Sequence, residues 1–324
     1  MNCLPIFYSL ALGCLGAWFM SCHAYRFGLL DVPSDRSSHK RLTPRGGGIG
    51  ILGAYILSSL WLNIAPLIWL PTLLIAAISF LDDKLSLSPR TRLFFQFGTA
   101  ALIVIGTSLN STQYPFIIIL LVACFSIFIT GTANFYNFMD GINGIAGFTG
   151  VIAFCLLGFF AGNFAQQPST SLSAYCIAAA CVGFLPFNIP KARVFMGDVG
   201  SILLGFIFAI DLLLLVRTAT DFLVVSGFLS TFYIDALTTL YVRNRDGERL
   251  SQAHRRHLYQ LLANQLQISH WKVSACYGLV QLLIGVLLLF LYPYGIGAIA
   301  ATLIVLTSLW IATMHKIRQM VEGK

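Results

Sequence analysis

Apolar runs of membrane-spanning length follow one another along almost the whole chain, separated by short polar loops. The runs lie at residues 3–22, 48–64, 66–81, 93–109, 115–131, 145–161, 171–187, 201–217, 222–242, 271–292 and 296–314. They are too long and too continuously apolar for barrel strands, whereas a helix satisfies its own backbone hydrogen bonds in hydrocarbon. The pattern predicts an all-α polytopic integral membrane protein with about eleven transmembrane helices, or ten if one boundary is drawn differently.

The composition agrees with this pattern. Only 10% of the 324 residues are charged, 57% are hydrophobic and the mean hydropathy is +0.82, which excludes a water-soluble globular protein. The first run has no positively charged region before it, so we interpret it as a retained helix rather than a cleaved signal. Because we find no internal repeat and no long linker, we expect residues 1–324 to form a single transmembrane domain.

The basic residues predict the orientation. With the N-terminus outside, the loops at about 23–47, 82–92, 132–144, 188–200 and 243–271 and the C-terminal tail lie in the cytoplasm. Counting Lys272 with its loop, these segments hold 19 of the 20 Lys and Arg, as the positive-inside rule expects. The net charge of +8 then reflects topology and attraction to anionic lipids, and we expect no nucleic-acid partner.

Two adjacent acids, Asp82 and Asp83, stand at the cytoplasmic end of the third predicted helix, in FLDDK at 80–84. The macrodipole disfavours negative charge at a helix C-terminus, so the acids need another reason to be there. One interpretation is a solvated helix end. The other is a catalytic base or a cation site, because adjacent helical residues point roughly 100° apart and can serve two partners.

Asp198 begins the eighth predicted helix, in RVFMGDVGS at 193–201. A plain N-cap is the simplest interpretation. However, Gly197 and Gly200 allow close backbone approach, and a helix N-terminus attracts phosphate. A carboxylate beside a phosphate site suggests Mg²⁺, which takes one or two carboxylates and completes its shell with phosphate oxygens and water.

The stretch NFYNFMDGINGIAG at 134–147 places polar residues between two apolar runs. Asn134, Asn137, Asp140 and Asn143 recur at every third position, so a helical or tightly turned segment would bring them to one face. Asparagine offers a donor and an acceptor, which suits a nucleobase edge or the shell of a metal. Capping of two helix ends is the competing interpretation.

The last cytoplasmic loop contains AHRRHLYQ at 253–260. On a helix, His254 and His257 would share a face and could donate to a diphosphate; a solvated basic loop is the alternative. Zinc is not indicated, because no third ligand stands at a usual spacing. The glycines of GIGILG at 48–53 have no preceding strand, so they favour close helix packing rather than dinucleotide binding.

Taken in order, these motifs resemble those of the polyprenyl-phosphate N-acetylhexosamine-1-phosphate transferases, the glycosyltransferase family 4 type. The similarity covers most of the chain and rests on TPRGG at 43–47, FLDDK, SPRTRLFFQ at 88–96, NFYNFMDGINGIAG, VFMGDVGS at 194–201, YIDALTTLYVR at 233–243 and the histidine loop. The resemblance implies a multi-pass enzyme of the bacterial inner membrane with a cytoplasmic active site. Such an enzyme transfers a sugar-1-phosphate from a UDP-N-acetylhexosamine to undecaprenyl phosphate and releases UMP.

The resemblance also implies roles for individual residues. Asp82 or Asp83 would deprotonate or orient the lipid phosphate, and Asp198 with Asn137 would hold Mg²⁺, for which Mn²⁺ is the expected substitute. The remaining matches are Asn134, Asp140, Asn143, His254 and His257 at the nucleotide or diphosphate, Arg90 and Arg92 at the lipid phosphate, and Arg45 and Asp235 without an assigned role. Membrane lipids are further expected partners, and a homodimer is an option.

Two departures shape the expected pathway. Many bacterial members have DGIDG where this chain has Asp140-Gly141-Ile142-Asn143-Gly144, so a second acid is missing. The sequence HRRHLYQ is similar to the subgroup that initiates O-antigen, so GlcNAc or a 6-deoxy sugar such as QuiNAc or FucNAc is the expected cargo. The alternatives are phospho-MurNAc-pentapeptide transfer, a transporter and an inactive lipid-binding scaffold. Asp211 has no counterpart in the family.

Overall fold

The computed structural model describes residues 3–33, 38, 41–108, 114–249 and 255–322, and these are almost entirely helical. The first eight helices are α1 Leu4–Phe27, α2 Ile49–Trp61, α3 Pro66–Leu85, α4 Pro89–Ser108, α5 Pro115–Phe138, α6 Ile145–Asn163, α7 Pro168–Asn188 and α8 Asp198–Leu215. The others are α9 Ala219–Gly227, α10 Ser230–Arg245, α11 Leu258–Gln260 with a π-helical turn at Leu261–Gln265, α12 His270–Leu291 and, after a 3₁₀ turn at Tyr292–Tyr294, α13 Gly295–Glu322. Strands β1 Leu30–Asp31 and β2 Thr43–Pro44 form a short antiparallel pair.

The described helices are consistent with a polytopic membrane protein. Seven stretches are long and apolar enough to cross a membrane, or eight if the bent pair of α9 and α10 is one span. The last stretch, His270–Val321, contains both α12 and α13. These two helices pack against each other as an antiparallel pair, as shown by the rings of Tyr277 on α12 and Trp310 on α13, whose centroids lie 5.3 Å apart. The exact number of spans and the orientation stay predictions.

Each predicted apolar run overlaps a helix, but the run at 222–242 is not a single one. It divides into α9 and α10, which are bent by 85°. Gln281 of α12 fills the break: its amide donates to the carbonyl oxygen of Gly227 at 2.9 Å and accepts from the backbone N–H of Thr231 at 3.0 Å. A break within a membrane-spanning helix is tolerated when a neighbouring side chain satisfies the freed backbone groups, as Gln281 does here.

The predicted cytoplasmic loops are shorter in the structure, because the helices extend into them. Prolines open α3, α4, α5 and α7, where their missing N–H is harmless and their φ angle suits a helix. Helix α5 continues to Phe138, so Asn134 and Asn137 lie on a helix rather than in a loop. The acids Asp82 and Asp83 likewise belong to the last turn of α3.

Close packing explains Gly48 and Gly50 in the segment that resembles a dinucleotide fingerprint. A Cβ atom at Gly48 would lie 2.3 Å from the Cα of Gly200, and one at Gly50 would lie 2.3 Å from the carbonyl oxygen of Leu12. The backbones of α1, α2 and α8 therefore approach so closely that only glycine fits, as predicted from the sequence. Helix α8 is buried along nearly its whole length and forms the centre of the bundle.

Candidate active site

The sequence motifs converge at one end of the bundle, where α3, α5 and α7 end and α4, α6 and α8 begin. We call this the polar end. A cavity of about 280 Å³ opens there, lined by Asp31, Ser38, Arg45, Asp83, Asn137, Asp140, Gly141, Ile142, Asn188, Phe195, Gly197, Asp198 and Gln260. Four of the predicted acids and amides, Asp83, Asn137, Asp140 and Asp198, therefore meet in one place.

Backbone hydrogen bonds hold the TPRGG segment against the start of α8. The N–H of Phe195 donates to the carbonyl oxygen of Pro44 at 2.8 Å, and the N–H of Gly47 donates back to Phe195 at 2.9 Å. Arg45, between them in sequence, donates to the Asp31 carboxylate at 2.6 Å and lies 4.0 Å from that of Asp83. The backbone hydrogen bonds and the ion pair with Asp31 together place the Arg45 guanidinium at the cavity wall.

Asp83 closes the N-terminus of α8. Its carboxylate accepts the backbone N–H groups of Asp198 at 3.1 Å and Val199 at 3.3 Å. The N-cap residue is Gly197, and Asp198 is the first helical residue, so the interpretation of Asp198 as a plain N-cap is wrong. The anion site expected at this helix terminus is occupied by a carboxylate of the protein itself.

Asp82 faces another partner, as the angle between adjacent helical residues predicts. Its carboxylate accepts the backbone N–H of Leu87 at 2.7 Å and the Arg92 guanidinium at 2.8 Å, and it does not line the cavity. Arg92 also reaches the Asp198 carboxylate at 3.4 Å. Arg90 is exposed in the first turn of α4. The two adjacent acids thus differ: Asp83 reaches the cavity, while Asp82 fixes Arg92 and the turn between α3 and α4.

The Asn137 side chain connects α5 to α8. Its amide nitrogen donates to the Asp198 carboxylate at 2.8 Å and to the Ser201 hydroxyl at 2.9 Å. Asn134, one turn earlier, instead donates to the side-chain oxygen of Gln96 at 2.6 Å and does not line the cavity. The expectation that the regularly spaced polar residues share one working face therefore fails for Asn134.

Asp140 lies on the short loop after α5 and faces the cavity. Among the described residues, none donates a hydrogen bond to its carboxylate. Burial raises the pKa of the Asp140 carboxyl well above its usual range, the nearby carboxylates of Asp198 and Asp83 raise it further, and Arg45 opposes them. A partly buried carboxylate to which no described residue donates, beside two others, is a site that favours a cation.

The loop that carries Asp140 is fixed from both ends. The Tyr259 hydroxyl donates to the carbonyl oxygen of Phe138 at 2.9 Å and lies under Gly141, where a Cβ atom would come within 2.2 Å of it. Asn143 points elsewhere: its amide donates to the carbonyl oxygen of Pro190 at 3.2 Å, and it does not line the cavity. Position 143, where many bacterial members have an aspartate, therefore lies outside the lining of this cavity.

The histidine loop is only partly described. His254 lies outside the described residues. The ring of His257 is 3% exposed and its Nδ1 lies 3.2 Å from the Asp235 carboxylate, away from the cavity. Asp235 also accepts the backbone N–H of Leu258 at 3.1 Å and the Tyr277 hydroxyl at 2.7 Å. In this geometry Asp235 anchors the segment that supplies Tyr259, and the His257 ring is not among the described residues that line the cavity.

Sequence reasoning did not single out Asp31, Asn188 or Gln260, which also line the cavity. Asn188 accepts the N–H of Gly144 and donates to the carbonyl oxygen of Val194 at 2.9 Å, so it joins two of the motifs. All three residues lie in predicted cytoplasmic loops. Gln260 ends the HRRHLYQ motif, whereas Asp31 and Asn188 belong to no recognisable pattern and had only their position near motif residues as a signal.

The chain is similar in sequence to known proteins. The family model described as glycosyl transferase family 4 matches residues 65–216, which include Asp83, Asn137, Asp140 and Asp198. A decaprenyl-phosphate N-acetylglucosaminephosphotransferase of Mycolicibacterium smegmatis is 30% identical over 294 residues, covering 76% of this chain and 71% of the relative. The chain belongs to glycosyl transferase family 4.

Two other relatives of this family 4 chain carry different names. A probable undecaprenyl-phosphate N-acetylglucosaminyl 1-phosphate transferase of Bacillus subtilis is 31% identical over 215 residues, covering 62% of this chain and 60% of that relative's length. A phospho-N-acetylmuramoyl-pentapeptide-transferase of Chloroherpeton thalassium is 30% identical over 266 residues, covering 67% and 71%. All three names describe transfer of a sugar phosphate. The Bacillus and Mycolicibacterium names specify N-acetylglucosamine, whereas the Chloroherpeton name specifies N-acetylmuramoyl-pentapeptide.

The oxygen donors of this family 4 chain fit Mg²⁺. Among the described residues, no three His, Cys, Asp or Glu side chains come together that could hold a metal ion by themselves. Mg²⁺ does not require such a cage, because it commonly takes one or two carboxylates and completes its shell with substrate phosphates and water. Asp198, with a side chain 25% exposed, and the unpartnered Asp140 are hard oxygen donors of this kind.

Proposed function

We propose that this protein transfers an N-acetylhexosamine-1-phosphate from a UDP-sugar to undecaprenyl phosphate and releases UMP. The observation that carries the proposal is the cavity of about 280 Å³ at the polar end, where Asp83, Asn137, Asp140 and Asp198 of a family 4 chain meet Arg45. A lipid acceptor stays in the bilayer while a soluble nucleotide arrives from water, so the reaction belongs at such an end. We place the protein in the bacterial inner membrane with this end in the cytoplasm.

In the proposed reaction an oxygen of the acceptor phosphate attacks the phosphorus that bears the sugar. The bond from that phosphorus to the bridging oxygen breaks, and UMP leaves with the bridging oxygen. Phosphoryl transfer needs mainly positioning and charge neutralisation. Among the described residues that line the cavity, Arg45 is the cation, and we propose that it contacts a phosphate. Arg92 is paired with the carboxylates of Asp82 and Asp198, and we propose that its positive charge attracts the acceptor phosphate.

Asp198 and Asn137 are the proposed residues for Mg²⁺, with Mn²⁺ as a substitute. When bound there, the ion would neutralise the negative charge of the diphosphate. Asn137 uses both of its N–H groups, on Asp198 and Ser201, which leaves its side-chain oxygen available as a metal ligand. Asp140 is proposed to face the nucleotide or diphosphate.

Asp83 is our choice for the residue that receives the acceptor's proton or orients its phosphate. It lines the cavity, and two backbone N–H groups fix the direction of its carboxylate. Asp82 is proposed as a positioning residue, because its oxygens are used by Leu87 and Arg92.

The cargo is proposed to be GlcNAc or a 6-deoxy sugar such as QuiNAc or FucNAc, for O-antigen or similar surface-polysaccharide synthesis. The names of the Bacillus and Mycolicibacterium relatives support GlcNAc, and the HRRHLYQ sequence supports the O-antigen subgroup. Phospho-MurNAc-pentapeptide transfer is a second candidate because of the similarity to the Chloroherpeton protein.

The test is UMP release by the purified protein in detergent with undecaprenyl phosphate and Mg²⁺. UDP-GlcNAc, UDP-linked 6-deoxy-N-acetylhexosamines and UDP-MurNAc-pentapeptide are compared as donors. We expect release that depends on the lipid, disappears with a chelator and is lost in Asp198→Asn. Asp211→Asn, the same change on the same helix outside the cavity, is the matched control and should retain activity. Absence of release with every donor would refute the proposal.

A further inference from the structure

A second cavity, of about 350 Å³, lies between the end of α10, the segment Arg256–Leu261 and the last turns of α13. It shares no lining residue with the candidate active site. Its wall has two parts with different chemistry, one cationic and one apolar. We call it the α10–α13 cavity.

The cationic part contains Arg245, Arg256 and Arg318. Arg256 donates to the Asp246 carboxylate at 2.6 Å and lies 2.9 Å from that of Glu248, while Arg245 lies 3.2 Å from Asp246. Glu248 lies outside the lining and is also paired with Arg243 at 2.9 Å, so the three lining guanidinium groups and the Asp246 carboxylate leave a net charge of +2 in this part. The cavity therefore suits an anion.

The apolar part is formed by Val242, Leu261, Ile311 and Met314. Exposed apolar side chains continue from the cavity along both helices, among them Leu237 on α10 and Leu309 on α13, which are 54% and 60% exposed. A small hydrophilic anion would leave this surface uncovered. An anion that carries hydrocarbon chains would cover it and gain the free energy of burying apolar surface.

The cavity lies at the polar end, where basic pockets between membrane helices meet lipid headgroups. We propose that the α10–α13 cavity binds the phosphate headgroup of an anionic phospholipid, with its acyl chains along α10 and α13. The site goes beyond the proposed transfer reaction and does not depend on it.

The segment Arg256–Leu261 connects the two cavities. Leu261 lines the α10–α13 cavity and its neighbour Gln260 lines the candidate active site. Tyr259 of the same segment supports the loop that carries Asp140. A headgroup bound by Arg256 and Arg318 would therefore order the segment on which the active-site loop rests.

The test is native mass spectrometry of the full-length protein in detergent, titrated with phosphatidylglycerol, phosphatidylcholine or inorganic phosphate. We expect retained phosphatidylglycerol, and weaker binding by about thirtyfold when Arg245 and Arg318 are both replaced by glutamine. Arg26→Gln, the same type of substitution at one exposed position at the end of α1, should bind like the parent protein. Equal binding of phosphatidylcholine, or full binding by the double variant, would overturn the proposal. Competition by millimolar phosphate as effective as by the lipid would overturn the lipid assignment.

A second measurement uses the unmodified protein, so it does not depend on the folding of a variant. Amide hydrogen exchange of residues 256–265 is compared in nanodiscs of phosphatidylcholine with and without phosphatidylglycerol. We expect slower exchange in this segment with phosphatidylglycerol and unchanged exchange in α6. Identical exchange of residues 256–265 in the two membranes would contradict the proposal.

Discussion

The Asp83 carboxylate of α3 accepts the backbone N–H of Asp198 of α8 at 3.1 Å, so one acid of the cavity fixes the position of another. Two like charges are held together because Asp83 is satisfied by the positive end of a helix and Asp198 by Arg92 and Asn137. In the proposed function, Mg²⁺ would relieve the remaining repulsion between them. This arrangement explains why a chain with so few charges concentrates acids at one end of its bundle.

Asp83→Asn and Asp82→Asn should separate chemistry from positioning. If Asp83 handles the acceptor phosphate, we expect its amide variant to lose about 10²- to 10⁴-fold in turnover while the protein stays folded. Asp82→Asn weakens the ion pair to Arg92 and should cost about 1–2 kcal/mol of stability, with a smaller loss of turnover. The measurements are UMP release and denaturant unfolding in detergent. Equal turnover of Asp83→Asn and the parent protein would refute the assignment.

Much of the fold could be predicted because a membrane fixes the length and the apolarity of each helix. The break between α9 and α10 could not, since no proline marks it and the residue that makes it tolerable, Gln281, is more than fifty positions from Gly227. The convergence of Asp83, Asn137 and Asp198 could be predicted because all three lie at helix ends on the same side of the bundle. The sequence did not predict that Asn134 and Asn143 point away from the cavity, because their hydrogen-bond partners, Gln96 and Pro190, are far away in sequence.

Gln281→Leu should destabilise the break. Gln281 is fully buried, and leucine would leave the carbonyl oxygen of Gly227 and the N–H and hydroxyl of Thr231 without their partner. We expect a loss of about 2–4 kcal/mol, because each orphaned group loses its desolvation compensation. Gln265→Leu, at an exposed position, is the control for the change in side chain. Unfolding in detergent measures both, and equal stability of the two variants would contradict the role of Gln281.

Gly197→Ala should disturb the site through two separable effects. Its φ of +75° is strained for alanine by about 1–2 kcal/mol, and the new Cβ atom would lie 2.6 Å from the Asp83 carboxylate. Gly247→Ala is a matched control, since φ is +73° and no atom lies within 4 Å of its Cβ position. Gly197→Ala should lose more stability than Gly247→Ala, because its Cβ atom would also lie 2.9 Å from the backbone nitrogen of Gly46, and only Gly197→Ala should lose turnover, by more than tenfold. Full activity of Gly197→Ala would show that the Asp83 geometry is not required.

The raised pKa of Asp140 has a consequence for stability. A carboxyl whose pKa is higher in the folded than in the unfolded protein contributes stability below the unfolded pKa, near 3.9, and that contribution is lost as pH rises through the folded pKa. Asparagine cannot lose a proton. Without divalent cations, the melting temperature of Asp140→Asn should therefore exceed that of the parent protein by a margin that grows with pH.

Asp246→Asn provides the opposite sign. Hydrogen bonding to Arg256, then to Arg245, lowers the pKa of the Asp246 carboxyl, so its stabilising contribution is present at neutral pH and lost on acidification. Its amide variant should melt no higher than the parent protein at any pH. If Asp140→Asn behaved in the same way, the electrostatic account of the cavity would be wrong.

A double-mutant cycle decides what His257 does. Its ring lies 3.2 Å from the Asp235 carboxylate and is buried, so we expect it to act through Tyr259 and the Asp140 loop rather than on the diphosphate. His257→Ala and Asp235→Asn should then lose similar turnover, and the double variant should lose little more, giving a coupling energy of about 0.5–3 kcal/mol. A ring that contacts the diphosphate directly would instead give additive losses, with a higher KM for the nucleotide sugar in His257→Ala alone. UMP release by the parent protein, the two single variants and the double variant distinguishes the positioning role from direct contact with the diphosphate. Only in the positioning role does the His257 side chain contribute nothing further once Asp235 has been replaced.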